Sequence, residues 1–435
     1  MERSLLRQLT SGTAWLSAAF LARATSTFGI VAILARSLSI AEMGFYFLLL
    51  QVATIASIFS GMGVEQGNQK FISEAVANTP GSVTVVVSRL NGIVFAATAG
   101  VLGIIWVGWQ LLETLWFKGA PPIIRYFLLG MIAVMTVERI QSSMLRAMDK
   151  MGKSSMSDGV VRQCFLFLVL GILYLMKPER LLLEGVLTAW LLCSIAGLVL
   201  ARFWCGSALA PYRKNEPEHG PSLSHMIGVS IPLGVASATA VLRGASDMLV
   251  IGWLMGPEMA GLFGPVKRVT TLVSALTPVT KMLQPMVAGL YAKNQIKELG
   301  ALCRKASLLS TAVGLILVAF FVIYGNTLLS KVFGPAFAGQ GPILFILVTG
   351  LAVRNYLSAA GVVLQMTGQH MLTMRVNILF CLFAIAALIL AAQSGQLLWI
   401  ACAASGTMVL QFILLSHLAQ RHTGIRTYFM PFTSR

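Results

Sequence analysis

The stretch Leu38–Phe47, LSIAEMGFYF, returns in a loose form at Met255–Gly264 as MGPEMAGLFG. In both segments a short turn leads to a glycine, and an apolar or aromatic pair follows it. Almost half of the 435-residue chain separates the two segments. Such spacing indicates two similar halves, although two tight turns can also resemble each other by chance. The flanking sequence has to decide between these explanations.

The composition excludes a soluble globular domain. Hydrophobic residues make up 57% of the chain, charged residues 11%, and the mean hydropathy is +0.81. A soluble domain carries about 25% charged residues, so this chain predicts a polytopic membrane protein. Its formal net charge of +17 is spread over many short loops. This spread favours an anionic membrane surface or an anionic substrate over a nucleic acid.

Apolar segments long enough to cross a bilayer run through the whole chain. A spanning helix needs about 20 mostly apolar residues, and the sequence predicts an all-α fold with twelve such helices. They are 12–35, 42–63, 84–108, 121–145, 159–177, 181–203, 226–254, 259–290, 306–325, 341–366, 371–392 and 396–417. We interpret the first as a retained helix because its apolar stretch is too long for a signal peptide.

The longest predicted loop, 204–225, contains prolines and charges and lies at the midpoint. It divides the chain into an N-terminal six-helix bundle, 1–203, and a C-terminal six-helix bundle, 226–435. Because each half has an even number of spans, we expect a parallel repeat about an axis along the membrane normal. Both echoed turns then fall between the first and second spans of their half.

The loop lysines and arginines predict the orientation, because they are in excess on the cytoplasmic side. Most of them, Arg162 included, fall on the side that holds both termini and the 204–225 linker. The opposite side has few. These are Arg36, Lys118, Lys177, Arg180 and Lys331. Both termini and the linker are therefore predicted to be cytoplasmic.

Three stretches resemble a known family. The stretch GTAWLSAAFLARATSTFGIVAILARSLSIAEMGFYFLLLQVATIASIF, Gly12–Phe59, resembles the first helical hairpin of the polysaccharide-transport branch of the MOP flippases. The stretch SIPLGVASATAVLRGASDMLVIGWLMGPEMAGLF, Ser230–Phe263, is similar to the seventh helix and following turn of that family. The stretch VFGPAFAGQGPILFILVTGLAVRNYLSAAGVVLQMTGQHMLTMRVNI, Val332–Ile378, resembles its ninth-to-eleventh-helix region.

The resemblance implies two six-helix bundles around a central cavity, as in MATE proteins, that alternate between inward-open and outward-open states. It also implies a Wzx-type function, in which undecaprenyl-pyrophosphate-linked oligosaccharide is flipped across the bacterial inner membrane. The repeat unit of an O-antigen, a capsule or an exopolysaccharide is the expected cargo. The expected partners are the lipid bilayer, a polysaccharide polymerase and a chain-length regulator. The related lipid II flippases typically have an extra pair of spans, which this sequence lacks.

Charged residues inside the predicted spans indicate function, because an ionisable group at mid-bilayer is costly unless it faces a cavity or a partner. The basic candidates for lining a cavity are Arg23, Arg243, Lys267, Lys281 and Arg354. Related flippases are thought to bind pyrophosphate through such arginines, and Arg23 and Arg243 resemble them most. Arginine's planar fork also suits phosphate oxygens.

A second set of charged residues offers ion pairs or a coupling site. It consists of Glu65, Glu138, Arg139 and Asp247. Asp247 lies one helical turn after Arg243, so the two side chains are predicted to pair. The three acids are also candidates for holding a proton or Na⁺, and the residues alone leave both alternatives open.

Three classes of function compete at this point. An enzyme is disfavoured because the outer loops are short, their acids are isolated from one another, and no nucleotide, nucleophile or metal-ligand motif occurs. We therefore expect neither a cofactor nor a metal site. A MATE-type small-molecule antiporter is the alternative to the lipid-linked oligosaccharide flippase. The basic character of the membrane charges favours the flippase, because a transporter of organic cations needs acidic or aromatic walls.

Overall fold

The structure is a computed structural model that describes residues 2–176, 181–214, 220–276, 287, 290–291, 295–367 and 369–425. All regular elements in these ranges are helices. The longer ones are α1 Glu2–Ser37, α2 Ile40–Gly61, α3 Val83–Val107, α4 Ile124–Ala147, α5 Val161–Met176, α6 Leu183–Leu209, α7 Leu223–Leu254, α8 Pro257–Leu276, α9 Ile296–Phe333, α10 Gly341–Leu357, α11 His370–Ala392 and α12 Leu397–Thr423. The fold is therefore all-α, as the sequence predicts.

Short helical segments connect or extend these helices. They are Val64–Gly67, Asn68–Ile72, Ser73–Asn78, Pro80–Ser82, Trp109–Trp116, Met151–Ser155, Met156–Val160, Tyr212–Lys214, Pro335–Phe337 and Ala359–Met366. Two of them matter for the charged residues described below. Val64–Gly67 follows the end of α2, and Met156–Val160 leads into α5.

Nine helices of the described residues are long and apolar enough to cross a membrane. The count becomes ten when α10 and the following short helix, which are bent by 44° at their junction, form one span. The protein is thus a multi-pass membrane protein. Each predicted segment overlaps one of α1–α12, but α1 and α8 are not among the ten. In α8 the reason is its charge, because Glu258, Lys267 and Arg268 lie within 20 residues.

Several helices are longer than their predicted spans. The prediction for the ninth was 306–325, whereas α9 runs from Ile296 to Phe333. Its first turns carry Lys297 and Glu298. Hydropathy detects only the apolar part of a helix, and the backbone ladder continues beyond it. Of the predicted eighth span, 259–290, α8 covers the part up to Leu276, and 277–286 lie outside the described residues.

The chain divides into two compact units. The first comprises Met1–Ala245 and Gly256–Gly261, and the second comprises Ser246–Met255 and Leu262–Arg435. In the first unit α2 packs on α3 and α4, α1 on α5, and α6 on α4 and α5. In the second unit α10 packs on α9 and α12, and α12 also packs on α11. The division at a 204–225 linker stays a prediction.

The two echoed turns lie against each other within the first unit. A capping box starts α2, in which the Ser39 hydroxyl accepts from the Glu42 backbone and the Glu42 carboxylate accepts from the Ser39 backbone. A Cβ atom on Gly44 would overlap the carbonyl oxygen of Pro257, and one on Gly261 would overlap that of Ile40. The matched glycines therefore allow the two backbones to approach closely. Any side chain there would force them apart.

Candidate functional site

Arg23 of α1 contacts the start of α5. Its Nη1 donates to the backbone oxygen of Asp158 at 2.9 Å and lies 3.4 Å from the carboxylate oxygen Oδ2 of the same residue. The Arg23 side chain is 40% exposed and that of Asp158 is 46% exposed. The predicted cavity arginine thus has a carboxylate partner, and neither group is buried by the surrounding helices.

Asp158 can contact Arg23 because the backbone of the short helix before α5 breaks at this residue. In Met156–Val160, Asp158 has ψ 43° and Gly159 has φ +79°, and neither value is helical. Glycine adopts a positive φ without strain. A break in a membrane helix frees backbone carbonyls that need another donor, and Arg23 supplies one. Asp158 was missed at the sequence level, although an Asp-Gly pair at the edge of an apolar span is a turn signal.

A second ion pair in the same unit is sealed from solvent. Arg162 on α5 donates through Nη1 to the Oε2 atom of Glu138 on α4, and the side chains are only 5% and 7% exposed. The Arg162 guanidinium also lies over the ring of Trp190, 4.6 Å from its centroid. Arg162 was counted with the loop charges in predicting the orientation, although it falls within the predicted span 159–177. The structure places it on α5, which begins at Val161, and not in a loop.

Glu138 and Arg139, which are adjacent in α4, have different partners. Glu138 pairs with Arg162, whereas Nε of Arg139 lies 3.4 Å from Oε2 of Glu65. This third pair is intermediate in exposure, at 27% for Arg139 and 28% for Glu65. Neighbours on a helix point about 100° apart, so they reach different neighbouring elements.

The Glu65–Arg139 pair lines a partly open cleft in the first unit. The cleft has an empty volume of about 330 Å³ and is walled by residues of α2, α4, α7 and the segment after α2. The Gln66 side-chain amide donates to the Ser237 hydroxyl of α7 at 2.6 Å. The chain reaches this position through Met62 and Gly63, which both have a positive φ. The cleft therefore holds an ion pair among largely apolar walls and is shaped by the turn at the end of α2.

In the second unit Asp247 of α7 pairs with Lys267 of α8. The Asp247 carboxylate also accepts from the Met248 backbone N–H at 2.7 Å. Lys267 is 23% exposed and Asp247 is 13% exposed. The sequence reasoning did not consider this pairing. The predicted pairing of Arg243 with Asp247 stays a prediction.

Two of the predicted cavity cations remain. Arg354 lies in the last turn of α10, just before the bend, and forms no ion pair among the residues described. Lys281 lies outside the described residues. Within the described ranges no three His, Cys, Asp or Glu side chains come close enough to hold a metal ion. The charged contacts described above are ion pairs.

Comparison with known families identifies the chain. The family model for "Polysaccharide biosynthesis protein" matches residues 9–290, which is more than half of the sequence. The protein belongs to this family. A capsular polysaccharide biosynthesis protein from Staphylococcus aureus, CapF, is 25% identical over 157 residues. That match covers 35% of this chain and 40% of CapF, so the chain aligns with under half of that relative's length.

Solved structures of transporters share the fold of this family member. An inward-facing multidrug-resistance MATE transporter of the MOP superfamily superposes with a TM-score of 0.72 at 14% identity, over 92% of this chain and 96% of that one. The lipid II flippase MurJ in an inward-closed conformation gives a TM-score of 0.68 at 12% identity, over 94% of this chain and 87% of that one. The fold is that of the MOP transporters, as the resemblance implies.

Proposed function

We propose that the protein is a flippase that moves an undecaprenyl-pyrophosphate-linked oligosaccharide from the cytoplasmic to the periplasmic leaflet. Its family is one of polysaccharide biosynthesis proteins, and MurJ, which shares the fold, is a lipid II flippase. The proposal includes twelve spans in two six-helix bundles, which take turns in opening a central cavity to each side. The cargo is the repeat unit of an O-antigen, a capsule or an exopolysaccharide.

The observation that carries the proposal is the exposure of Arg23. A guanidinium inside a membrane helix is costly, so it is expected to have a function or a sealed partner. Arg23 is 40% exposed, and its carboxylate partner is as open as it is. A guanidinium that is not buried by protein can bind phosphate oxygens through two parallel hydrogen bonds. Arg243, Lys267, Lys281 and Arg354 are proposed to add positive charge around the same diphosphate.

The proposed location is the bacterial inner membrane, with both termini and the 204–225 linker in the cytoplasm. The distribution of loop lysines and arginines supports this orientation. A polysaccharide polymerase and a chain-length regulator are the proposed protein partners. Reporter fusions at Thr10, Glu216 and the C-terminus test the topology. Periplasmic activity of the reporter at any of these positions would reverse or break the proposed orientation.

The second candidate is a MATE-type small-molecule antiporter. The superposition on a MATE multidrug transporter supports it, and Glu65, Glu138 and Asp247 are acids that a coupling proton or Na⁺ could use. In the described structure each of these acids is paired with a basic side chain. That pairing leaves less acidic surface for an organic cation, so the flippase is the function that the site supports better.

Export of surface glycan in a flippase-null strain tests the proposal. The Arg23→Ala, Arg243→Ala double variant is expected to lose export, with lipid-linked oligosaccharide accumulating on the cytoplasmic leaflet at unchanged membrane abundance. Arg23→Lys is expected to keep partial export, because it retains the charge but loses the two-pronged geometry. Lys118→Ala is the matched control, since Lys118 is exposed between α3 and α4. Full export by the double variant at normal abundance would favour the antiporter instead.

A further inference from the structure

The contact between Arg23 and Asp158 uses only part of the guanidinium. Both hydrogen bonds to Asp158 come from Nη1. Within the described residues, Nη2 and Nε of Arg23 make none. Arginine has five N–H donors in a planar fork and can bind a second oxygen group through its remaining edge. An anion can therefore approach Arg23 before the carboxylate of Asp158 leaves it.

Asp158 is held less firmly than the other carboxylate beside α5. The Arg23–Asp158 pair is nearly half exposed and 3.4 Å long, whereas the Arg162–Glu138 pair is sealed and lies under Trp190. An exposed ion pair contributes little stability and exchanges easily with water and solutes. Asp158 also lies at a backbone break beside Gly159, with no helical ladder to fix its direction. It can withdraw from Arg23 without disturbing α5.

We propose that Asp158 is an internal counter-anion that occupies Arg23 in the unloaded protein and is displaced by the phosphates of the substrate. This inference rests on the proposed function and adds a residue that tunes substrate release. A diphosphate carries more charge than one carboxylate and offers several oxygens to the guanidinium, so it displaces Asp158 at the Arg23 side chain.

The same carboxylate assists release. When the diphosphate leaves, an uncompensated arginine inside the membrane would be costly. The return of Asp158 neutralises Arg23 at that moment and lowers the cost of letting the substrate go. A competing internal group weakens the affinity for the substrate and speeds its departure. Asp158 thus sets a balance between binding and turnover.

Binding of inorganic pyrophosphate to the purified full-length chain tests this role. Asp158→Asn removes the competing charge and keeps a residue that tolerates the break, so we expect about 1.4- to fivefold tighter binding, the range of an exposed ion pair. Arg23→Ala is expected to abolish pyrophosphate binding. Adding Asp158→Asn to the Arg23→Ala variant should then leave pyrophosphate binding unchanged. In cells, Asp158→Asn should slow glycan export. Glu113→Gln, an exposed acid after α3, is the control and should match the native chain.

The outcomes separate the inference from the proposed function. Unchanged or weaker binding by Asp158→Asn, while Arg23→Ala still abolishes binding, would overturn the role of Asp158 and leave the flippase intact. Unchanged binding and export by Arg23→Ala would contradict the flippase site itself. Asp158→Ser is the second variant if Asp158→Asn is not recovered from membranes. Failure of both to fold would show that the pair is structural, and the inference would fall.

Discussion

The two ion pairs at the start of α5 join similar residues in different surroundings. Glu138–Arg162 is closed off from solvent by the packing of α4, α5 and α6, and Arg162 stacks on Trp190. Asp158 lies four residues before Arg162 in the chain, but its pair with Arg23 is left exposed by the surrounding helices. A charged residue in a membrane helix is therefore not identified as a binding residue by its charge alone. Burial decides whether a charged side chain holds the fold or remains available to a ligand.

The physical reason is the cost of leaving one partner alone. In a sealed site each charge has already lost its hydration, so its partner is the only compensation. In an open site water replaces the partner at little cost. The sealed pair is therefore expected to respond strongly in stability, and the open pair in transport. The variants below test this distinction in order of the expected effect on stability.

Arg162→Met should give the largest loss of stability. It leaves Glu138 buried and uncompensated, which costs about 3–5 kcal/mol in comparable buried pairs. The Glu138→Leu, Arg162→Met double variant removes both charges and should recover most of that loss. Thermal unfolding in detergent and abundance in membranes measure both. A double variant that is less stable than either single variant would show that the pair is not coupled as described.

Asp247→Asn should have an intermediate effect, because the Asp247–Lys267 pair is mostly but not fully buried. Hydrogen bonds to charged groups contribute about 1.5–3 kcal/mol. Thermal unfolding of Asp247→Asn, Lys267→Met and the double variant gives the coupling between them. The same cycle with Arg243→Gln tests the predicted Arg243–Asp247 pair. If the losses of stability from Asp247→Asn and Lys267→Met simply add in the double variant, Asp247 and Lys267 are not energetically coupled.

The open pairs should have the smallest effects on stability. Asp158→Asn is expected to cost about 0.2–1 kcal/mol, the range of exposed pairs. Glu65→Gln is expected to cost somewhat more, because its pair is only 27% and 28% exposed. Glu113→Gln provides the baseline for removing an exposed acid. The measurement is again thermal unfolding, alongside the Arg162→Met variant in the same detergent. If Asp158→Asn lost as much stability as Arg162→Met, the two ion pairs would not differ in the way described.

Much of the fold was predictable, since long apolar segments and short loops define a polytopic helical protein. Arg23 could be selected as a candidate from the sequence, because a charge amid apolar residues is visible there. The observed ion pairs could not be predicted from the sequence. Arg162 was counted among the loop charges although it falls within the predicted span 159–177, because a charge count carries no information on burial. Asp158 and Lys267 became partners only through helix packing, which brings together residues that are far apart in the chain.

The most direct test of the central claim is transport in proteoliposomes that contain undecaprenyl-pyrophosphate-linked oligosaccharide. A membrane-impermeant lectin would report the fraction of glycan that reaches the outer leaflet over time. We expect translocation by the native chain and by Lys118→Ala, and none above protein-free vesicles by Arg23→Ala. Translocation by Arg23→Ala at the native rate, or none by the native chain, would contradict the claim.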